Sequence, residues 1–212
     1  MDTKLTGKTR IESDLIGARE IPAEALYGVQ TLRGIENFSI SKFRLSEYPL
    51  FIKGLAITKM AAAMANFELG LLTVEQKDAI IAACGEILDG KHHDQFPVDM
   101  IQGGAGTTTN MNANEVIANR ALELMGHERG EYQYCSPNDH VNCSQSTNDA
   151  YPTAIHIGMY FKHLQLLPHL EELIASFRKK GEEFSQIIKM GRTQLELSLI
   201  HISEPTRLDV IS

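Results

Sequence analysis

A long amphipathic segment after Pro152 constrains the fold more than any other feature of this 212-residue chain. From Thr153 to Met190, apolar side chains recur every three or four residues, which is the spacing of one face of an α-helix. This apolar stripe consists of Ile157, Phe161, Leu164, Leu167, Leu170, Ile174 and Phe177. At about 1.5 Å per residue such a helix spans on the order of 57 Å, and Pro168 should kink it. Because a helix of that length outreaches a small globule, we expect a homo-oligomer assembled on it.

The stretch that precedes this helix, His140–Tyr151, reads HVNCSQSTNDAY and contains six consecutive small or polar residues. Because proline is best tolerated in the first turn, Pro152 predicts a helix start near Asn148–Tyr151, with Asn148 or Asp149 as the N-cap. Hydroxyls and free N–H groups at the positive end of a helix favour binding of a carboxylate or phosphate. The alternative is a plain N-cap that binds no ligand.

A second polar loop, Ile101–Val116, reads IQGGAGTTTNMNANEV. Its glycines let the backbone approach a ligand closely, and its threonines supply hydroxyl donors ahead of a helix expected from about Asn112 to Leu124. No Gly-Lys-Ser/Thr follows, which excludes a Walker loop, and neither a preceding strand nor the glycine spacing of a dinucleotide fingerprint is present. The alternative is a flexible turn before a capped helix.

Two further helices are predicted in the first half of the chain. The stretch Leu50–Leu69 is helical in pattern and is closed by Gly70 at the position after the C-cap. Thr73 begins a capping box and starts a second helix that runs to about Leu88. Residues Met1–Ser46 are punctuated by glycine and show no sustained period, so we expect short strands and loops there.

Composition limits the partners and the compartment. The formal net charge is −7 and no basic block occurs, so nucleic acid and acidic membrane surfaces are poor partners. With no signal peptide and no run of 18 apolar residues, we expect a soluble cytoplasmic protein. Cys84, Cys135 and Cys143 form no CxxC motif and are expected to be reduced thiols. We interpret the run His92–Asp94 as a surface turn, and we predict no metal site.

Several stretches together resemble the aspartase/fumarase superfamily. They lie between about residues 10 and 196, and the last three are the most specific. The similar stretches are Arg10–Gly17, Ala25–Arg33, GGAGTTTNMNANEV at Gly103–Val116, SQSTND at Ser144–Asp149 and GRTQL at Gly191–Leu195. The triplet Ser146-Thr147-Asn148 favours the aspartase branch, because fumarases tend to carry two serines there. At Gln194 fumarases usually carry histidine, whereas aspartases carry either residue.

The resemblance implies a mainly α fold. A small N-terminal domain with helices and short strands, residues 1–139, would be followed by the first long helix of a central helical-bundle domain, residues 140–196. In this superfamily the central helices of four subunits form one core, and each active site collects residues from three subunits. A homotetramer is therefore expected for the complete protein.

The resemblance also implies a reaction, the reversible removal of ammonia from L-aspartate to give fumarate without an organic cofactor. The donors would hold a dianionic enediolate that develops when a base removes the proton beside the β-carboxylate. Thr107, Ser146 and Thr147 would grip the β-carboxylate, and Asn148 would position the amino group. Thr193 and Gln194 would reach the other carboxylate from a neighbouring chain, as the remaining substrate-binding residues.

The chain departs from the superfamily at Leu197. Residues 197–212 bear no likeness to it and resemble the translation of a sequencing adapter, so we expect an artefactual tail. The serine base of the superfamily lies on a later Gly-Ser-Ser loop that this sequence lacks, so no catalytic residue is assigned. We therefore expect a truncated chain that is inactive by itself. The alternatives are a class II fumarate hydratase and a non-catalytic helical oligomerisation module.

Overall fold

One β-hairpin and five α-helices make up residues 7–188, the part of the chain that this computed structural model describes. Strands β1 and β2 pair in antiparallel register, with Asp14 opposite Gly17 at the turn. The strands are β1, Thr9–Asp14, and β2, Gly17–Pro22; the helices are α1, Val29–Asn37, α2, Pro49–Glu68, α3, Val74–Leu88, α4, Thr107–Leu124, and α5, Thr147–Phe184. Three short helical turns occupy Leu45–Glu47, His93–Gln95 and Pro137–Val141. The expected mainly α fold is confirmed.

Helices α2 and α3 begin and end where local signals predict. Gly70 follows α2 with φ of 74°, a left-handed conformation that glycine adopts without a steric penalty. At the start of α3 the Thr73 hydroxyl accepts the N–H of Gln76 at 3.2 Å, and the Gln76 carboxamide accepts the N–H of Thr73 at 3.1 Å. These two reciprocal bonds form the capping box predicted from the sequence.

Helix α1 lies in a region where only strands and loops were expected, and that expectation was incomplete. Its N-cap is Gly28, which has no side chain to satisfy the first N–H groups. The buried carboxylate of Glu115 on α4 accepts them instead, from Gly28 and Gln30 at 2.8 Å and from Thr31 at 3.0 Å. A cap supplied from a distant helix leaves no local sequence signal.

Helix α4 begins at Thr107, five residues before the predicted Asn112. Gly106, with φ of 89°, turns the chain into the helix. The Gln102 side chain then accepts the N–H of Thr109 at 2.8 Å and donates to the Thr109 hydroxyl at 2.7 Å. These bonds bring the threonines into the first helical turn, so the loop is shorter than predicted.

Helix α5 begins at Thr147, and Ser146 is its N-cap rather than the predicted Asn148 or Asp149. The Ser146 hydroxyl accepts the N–H of Asn148 at 3.2 Å, and the Ser146 carbonyl accepts the N–H of Ala150 at 3.0 Å. The helix is continuous across Pro168 and ends at Phe184, before the predicted end near Met190, which lies outside the described residues.

The hydrophobic core sits mainly among α2, α3 and α4. Fully buried side chains include Ile52 and Leu55 on α2, Ile80 on α3, and Ile117 and Leu122 on α4. Of the described helices, α2 is the one whose length and apolarity would allow it to cross a membrane. Its position in this core accounts for that apolarity, so the feature is weak evidence for a membrane span.

Contacts divide the chain into two units, the first ending at His163 and the second beginning at Leu164. In the second unit, the predicted stripe on α5 is exposed: Leu170 is 42% exposed, Ile174 48% and Phe177 70%. The expectation that a single chain exposes this apolar surface is confirmed. The domain boundary expected between residues 139 and 140 stays a prediction.

The three cysteines are free thiols. Cys84 and Cys135 are fully buried, and burial raises the pKa of each thiol to about 12. Cys143 is partly exposed.

Among the described residues no group of three histidine, cysteine, aspartate or glutamate side chains could hold a metal ion. His92 contacts Glu86 at 2.9 Å and His93 contacts the Ile87 carbonyl at 2.9 Å, as residues of a surface turn.

Candidate active site

The two polar loops singled out in the sequence border one cavity of about 770 Å³. The Gly-rich loop supplies Gln102, Gly104 and Gly106, and the start of α5 supplies Asn148 and Tyr151. Gly106 lies directly against the Tyr151 ring, because a Cβ at this position would come within 2.4 Å of its Cγ atom. This close approach of backbone to ring brings the beginnings of α4 and α5 to the same cavity.

The start of α4 presents donors that its own cap does not use. Gly106 is the N-cap and makes no side-chain hydrogen bond to the helix. Thr107, the first helical residue, is exposed, while the Thr109 N–H is already bonded to Gln102. The first N–H groups of a helix carry partial positive charge, so a hydroxyl at Thr107 beside them suits a carboxylate ligand.

The start of α5 presents a second set of donors. Ser146 and Asn148 are exposed and Thr147 is partly buried. The carboxamide nitrogen of Asn110 on α4 donates to the Thr147 hydroxyl oxygen at 3.2 Å. Because that oxygen already accepts a hydrogen bond, the hydroxyl hydrogen of Thr147 is available for another acceptor. Asn110 therefore links the two helix starts and orients Thr147 as a donor.

Lys59 on α2 is a part of this site that the sequence interpretation missed. Its side chain is fully buried, and the Nζ atom donates to three neutral side-chain oxygens. These are Oδ1 of Asn110 at 2.8 Å, Oδ1 of Asn142 at 2.8 Å and Oε1 of Gln145 at 3.0 Å. Burial lowers the pKa of Lys59 to about 7. The available signal was a lysine in the largely apolar stretch Leu50–Leu69, which also contains Lys53.

A second contact from α2 fixes the same loop. The Asn66 carboxamide donates to the carbonyl of Cys143 at 2.8 Å. The next residue, Ser144, has φ of 56°, a left-handed conformation that is uncommon for a residue with a side chain. The loop before α5 is thus held in a specific turn by side chains of α2.

A separate cluster of buried carboxylates lies where α4 and β1 meet the start of α1. Besides Glu115, it contains Glu12, which accepts from the N–H of Val29 at 3.1 Å and from the Tyr132 hydroxyl at 2.9 Å. Burial raises the pKa of Glu115 and, together with the nearby Glu12 charge, that of Tyr132. Because both carboxylates satisfy backbone donors of α1 and the residue before it, we assign this cluster to folding rather than to the candidate site.

Of the six residues predicted to bind substrate, four lie within the described chain. Asn148 lines the cavity, whereas Thr107, Ser146 and Thr147 lie at the two helix starts but are not among its lining residues. Thr193 and Gln194 lie outside the described residues.

Comparison with known proteins identifies the family of this chain. A family model described as lyase matches residues 17–198, which include both helix starts and the GRTQL motif. The chain belongs to this lyase family. An aspartate ammonia-lyase from Pseudomonas canavaninivorans is 59% identical over 187 residues, which cover 88% of this chain and 40% of the relative. One from Escherichia coli strain K12 is 56% identical over 193 residues, covering 91% and 40%.

Solved structures of the lyase family share the fold. A crystal structure of fumarate lyase:delta crystallin from Brucella melitensis bound to cobalt is 48% identical, with a TM-score of 0.86 over 96% of this chain and 46% of that protein. A class II fumarase from Schistosoma mansoni is 38% identical, with a TM-score of 0.80 over 89% and 40%. The resemblance to the aspartase/fumarase superfamily is confirmed, and the chain spans about 40% of the length of the curated relatives.

Proposed function

We propose that this chain carries part of the substrate site of an aspartate ammonia-lyase, which reversibly converts L-aspartate to fumarate and ammonia. The observation that carries the proposal is the pair of helix starts around one cavity, in a chain 56–59% identical to proteins of that name. A dicarboxylate site needs fixed donors, and hydroxyl and N–H groups at a helix start provide them.

The donors have distinct roles in this proposal. Thr107, Ser146 and Thr147 hold the β-carboxylate, on which negative charge increases as the neighbouring carbon loses its proton. Donors that are already oriented stabilise that charge without reorganising, which lowers the barrier. Asn148 positions the amino group that leaves. Thr193 and Gln194, from a neighbouring chain, hold the second carboxylate.

The complete enzyme is proposed to be a cytoplasmic homotetramer that needs no organic cofactor. The exposed apolar stripe on α5 supports an assembly, because burying such a surface against other helices is favourable. The base that removes the proton is not assigned to a residue of this chain. Since the chain spans about 40% of its relatives, we also propose that the 212-residue polypeptide alone does not turn over aspartate.

Fumarate hydratase is the second candidate. The 38% identity to a class II fumarase supports it, since both reactions would stabilise charge on the same kind of carboxylate. The higher identity to aspartate ammonia-lyases, 56–59%, favours ammonia over water as the group exchanged.

The test uses a hybrid enzyme in which residues 17–194 of this chain replace the matching segment of the Escherichia coli relative. Fumarate formation from aspartate is followed by ultraviolet absorbance and compared with hydration of fumarate. We expect the hybrid to prefer ammonia, and Thr147→Val to lower kcat by about 10²- to 10³-fold, because one donor to the developing charge is lost.

The matched control is Thr153→Val, which removes an exposed hydroxyl from the same helix outside the site. We expect it to leave turnover unchanged. A hybrid that hydrates fumarate but ignores aspartate would support the second candidate. Normal turnover by Thr147→Val in a folded, active hybrid would remove Thr147 from the site.

A further inference from the structure

The charge of Lys59 has no carboxylate partner among residues 7–188. The ion pairs there do not include Lys59, and its three hydrogen-bond acceptors are amide oxygens of Asn110, Asn142 and Gln145. Taking an ammonium group out of water costs several kcal/mol unless its surroundings compensate. Three acceptors match the three protons of the charged form, so the site is constructed to hold an ammonium ion.

The contacts of Asn110 give this charge a route to the candidate site. Its carboxamide oxygen accepts from Lys59, and its nitrogen donates to the Thr147 hydroxyl at 3.2 Å. A cation bound to an amide oxygen makes the N–H groups of that amide stronger donors. Donation into the Thr147 oxygen in turn makes its own O–H a stronger donor to an anion. Each hydrogen bond from Lys59 through Asn110 to Thr147 therefore makes the next group a stronger donor.

The other two acceptors connect Lys59 to the backbone of the loop before α5. Asn142 donates to the Gln145 carbonyl at 3.0 Å, and Gln145 donates to the carbonyls of Val141 at 2.8 Å and Cys143 at 3.2 Å. The same ammonium group therefore orders the turn that leads into Ser146. Lys59 therefore supplies the charge near the start of α5 and, together with Asn66, holds the preceding turn in place.

We propose that Lys59 is a positioning residue whose positive charge, relayed through Asn110, strengthens the hold of Thr147 on a substrate carboxylate. The inference rests on the proposed function and adds an electrostatic residue that does not itself touch the substrate. Two contributions of α2 can then be distinguished. Lys59 and Asn66 both fix the loop, whereas of these two side chains Lys59 alone supplies charge.

The charge is expected to depend on pH in the neutral range, because burial lowers the pKa of Lys59 to about 7. Of the surrounding side chains, the Asn110, Asn142 and Gln145 amides do not titrate. The Cys84 thiol on α3 has a pKa raised to about 12 and stays neutral. Lys59 is protonated below its pKa, so anion binding should be stronger at pH 6 and should weaken as the pH rises towards 9.

The experiment measures binding of succinate and of methylphosphonate to the full chain by saturation-transfer difference NMR, which detects weak ligands on large assemblies. Lys59→Met removes the charge and keeps most of the side-chain volume. Asn66→Ala is the matched control, because it removes a loop contact from the same helix without a change in charge. Circular dichroism checks the folding of both variants.

We expect Lys59→Met to weaken succinate binding by at least about tenfold and to abolish its pH dependence, with a smaller effect of Asn66→Ala. Equal binding by Lys59→Met and the unchanged chain would overturn the inference while the dicarboxylate site stands. An equally large loss in Asn66→Ala would reduce Lys59 to a loop anchor and overturn the electrostatic part.

The remaining outcomes separate this inference from the proposed function. Equally tight, Lys59-dependent binding of methylphosphonate would support the role of Lys59 and contradict a dicarboxylate site. Absence of binding of either anion to the unchanged chain would overturn both. If Lys59→Met does not fold, the pH dependence of the unchanged chain decides, and affinity that is flat from pH 6 to pH 9 overturns the inference.

Discussion

Gly106 shows how much of the site depends on a single missing side chain. Its φ of 89° lies in the left-handed region, and a Cβ atom there would come within 2.4 Å of the Tyr151 ring. Substitution therefore meets two separate obstacles, a strained backbone and an overlap with an aromatic ring. Both would move the start of α4 away from the start of α5.

We predict that Gly106→Ala destabilises the chain by more than Gly70→Ala does. Gly70 has a similar φ of 74° but open space around its Cβ position, so alanine there costs about 1–2 kcal/mol of backbone strain. The overlap with Tyr151 should add about 1–3 kcal/mol. Urea denaturation of both variants, followed by circular dichroism, measures the difference, and equal midpoints would contradict it.

Residue types in the site were easier to predict than the contacts among them. Thr107, Ser146, Thr147 and Asn148 belong to two polar runs at the starts of helices, and such runs are visible in the sequence. Lys59 is different, because its acceptors lie 51, 83 and 86 residues away along the chain. A lysine in an apolar helix gives no sign of which distant amides will surround it.

At the scale of elements, α3 and α4 are joined by an ion-pair cluster at the edge of the core. Glu86 on α3 accepts two hydrogen bonds from Arg120 on α4, at 2.6 and 2.8 Å, and contacts His92 at 2.9 Å. The bonds from Arg120, with a smaller contribution from His92, lower the pKa of Glu86 to about 2. Between about pH 2 and pH 4, the Glu86 carboxylate therefore stays ionised in the folded chain but would be largely protonated in the unfolded chain.

We predict that Glu86→Gln lowers the free energy of unfolding at pH 7 by about 1–3 kcal/mol. Because the folded-state pKa is depressed, the contribution of Glu86 is present above its unfolded pKa of about 4.3 and is lost as the pH falls towards 2. The difference in free energy of unfolding between Glu86→Gln and the parent chain should therefore disappear as the pH falls through that range. Urea titrations from pH 7 to pH 2 measure it, with Glu75→Gln, an exposed carboxylate of α3, as control. A gap that persists at pH 2 would show that charge is not its cause.

The elements that could be predicted are those with signals close in sequence. Thr73 and Gly70 fix a helix start and a helix end through their own neighbours. Helix α1 could not be found in this way, because its first N–H groups bond to Glu115, more than 80 residues later. The early start of α4 was missed for a related reason, since Gln102 holds Thr109 through side-chain bonds that no pattern of apolar residues records.

At the scale of the whole molecule, the second unit presents an apolar helix face with no covering residue described in this chain. We predict that the purified polypeptide self-associates through this face. Leu170→Ser combined with Ile174→Ser should shift sedimentation towards monomer, because two of the stripe's apolar side chains are lost. His169→Ser combined with Glu172→Ser alters an exposed pair elsewhere on the same helix and should leave the assembly intact. A monomeric parent chain would contradict the prediction.

The surroundings of the three thiols differ so strongly that a dye could be attached selectively to one of them, Cys143. Cys84 and Cys135 are fully buried and hold their protons, so alkylating reagents should spare them in the folded chain. Cys143 is reachable and stands next to the left-handed turn at Ser144. A single environment-sensitive fluorophore placed there, without engineering, would report how that turn responds when an anion arrives.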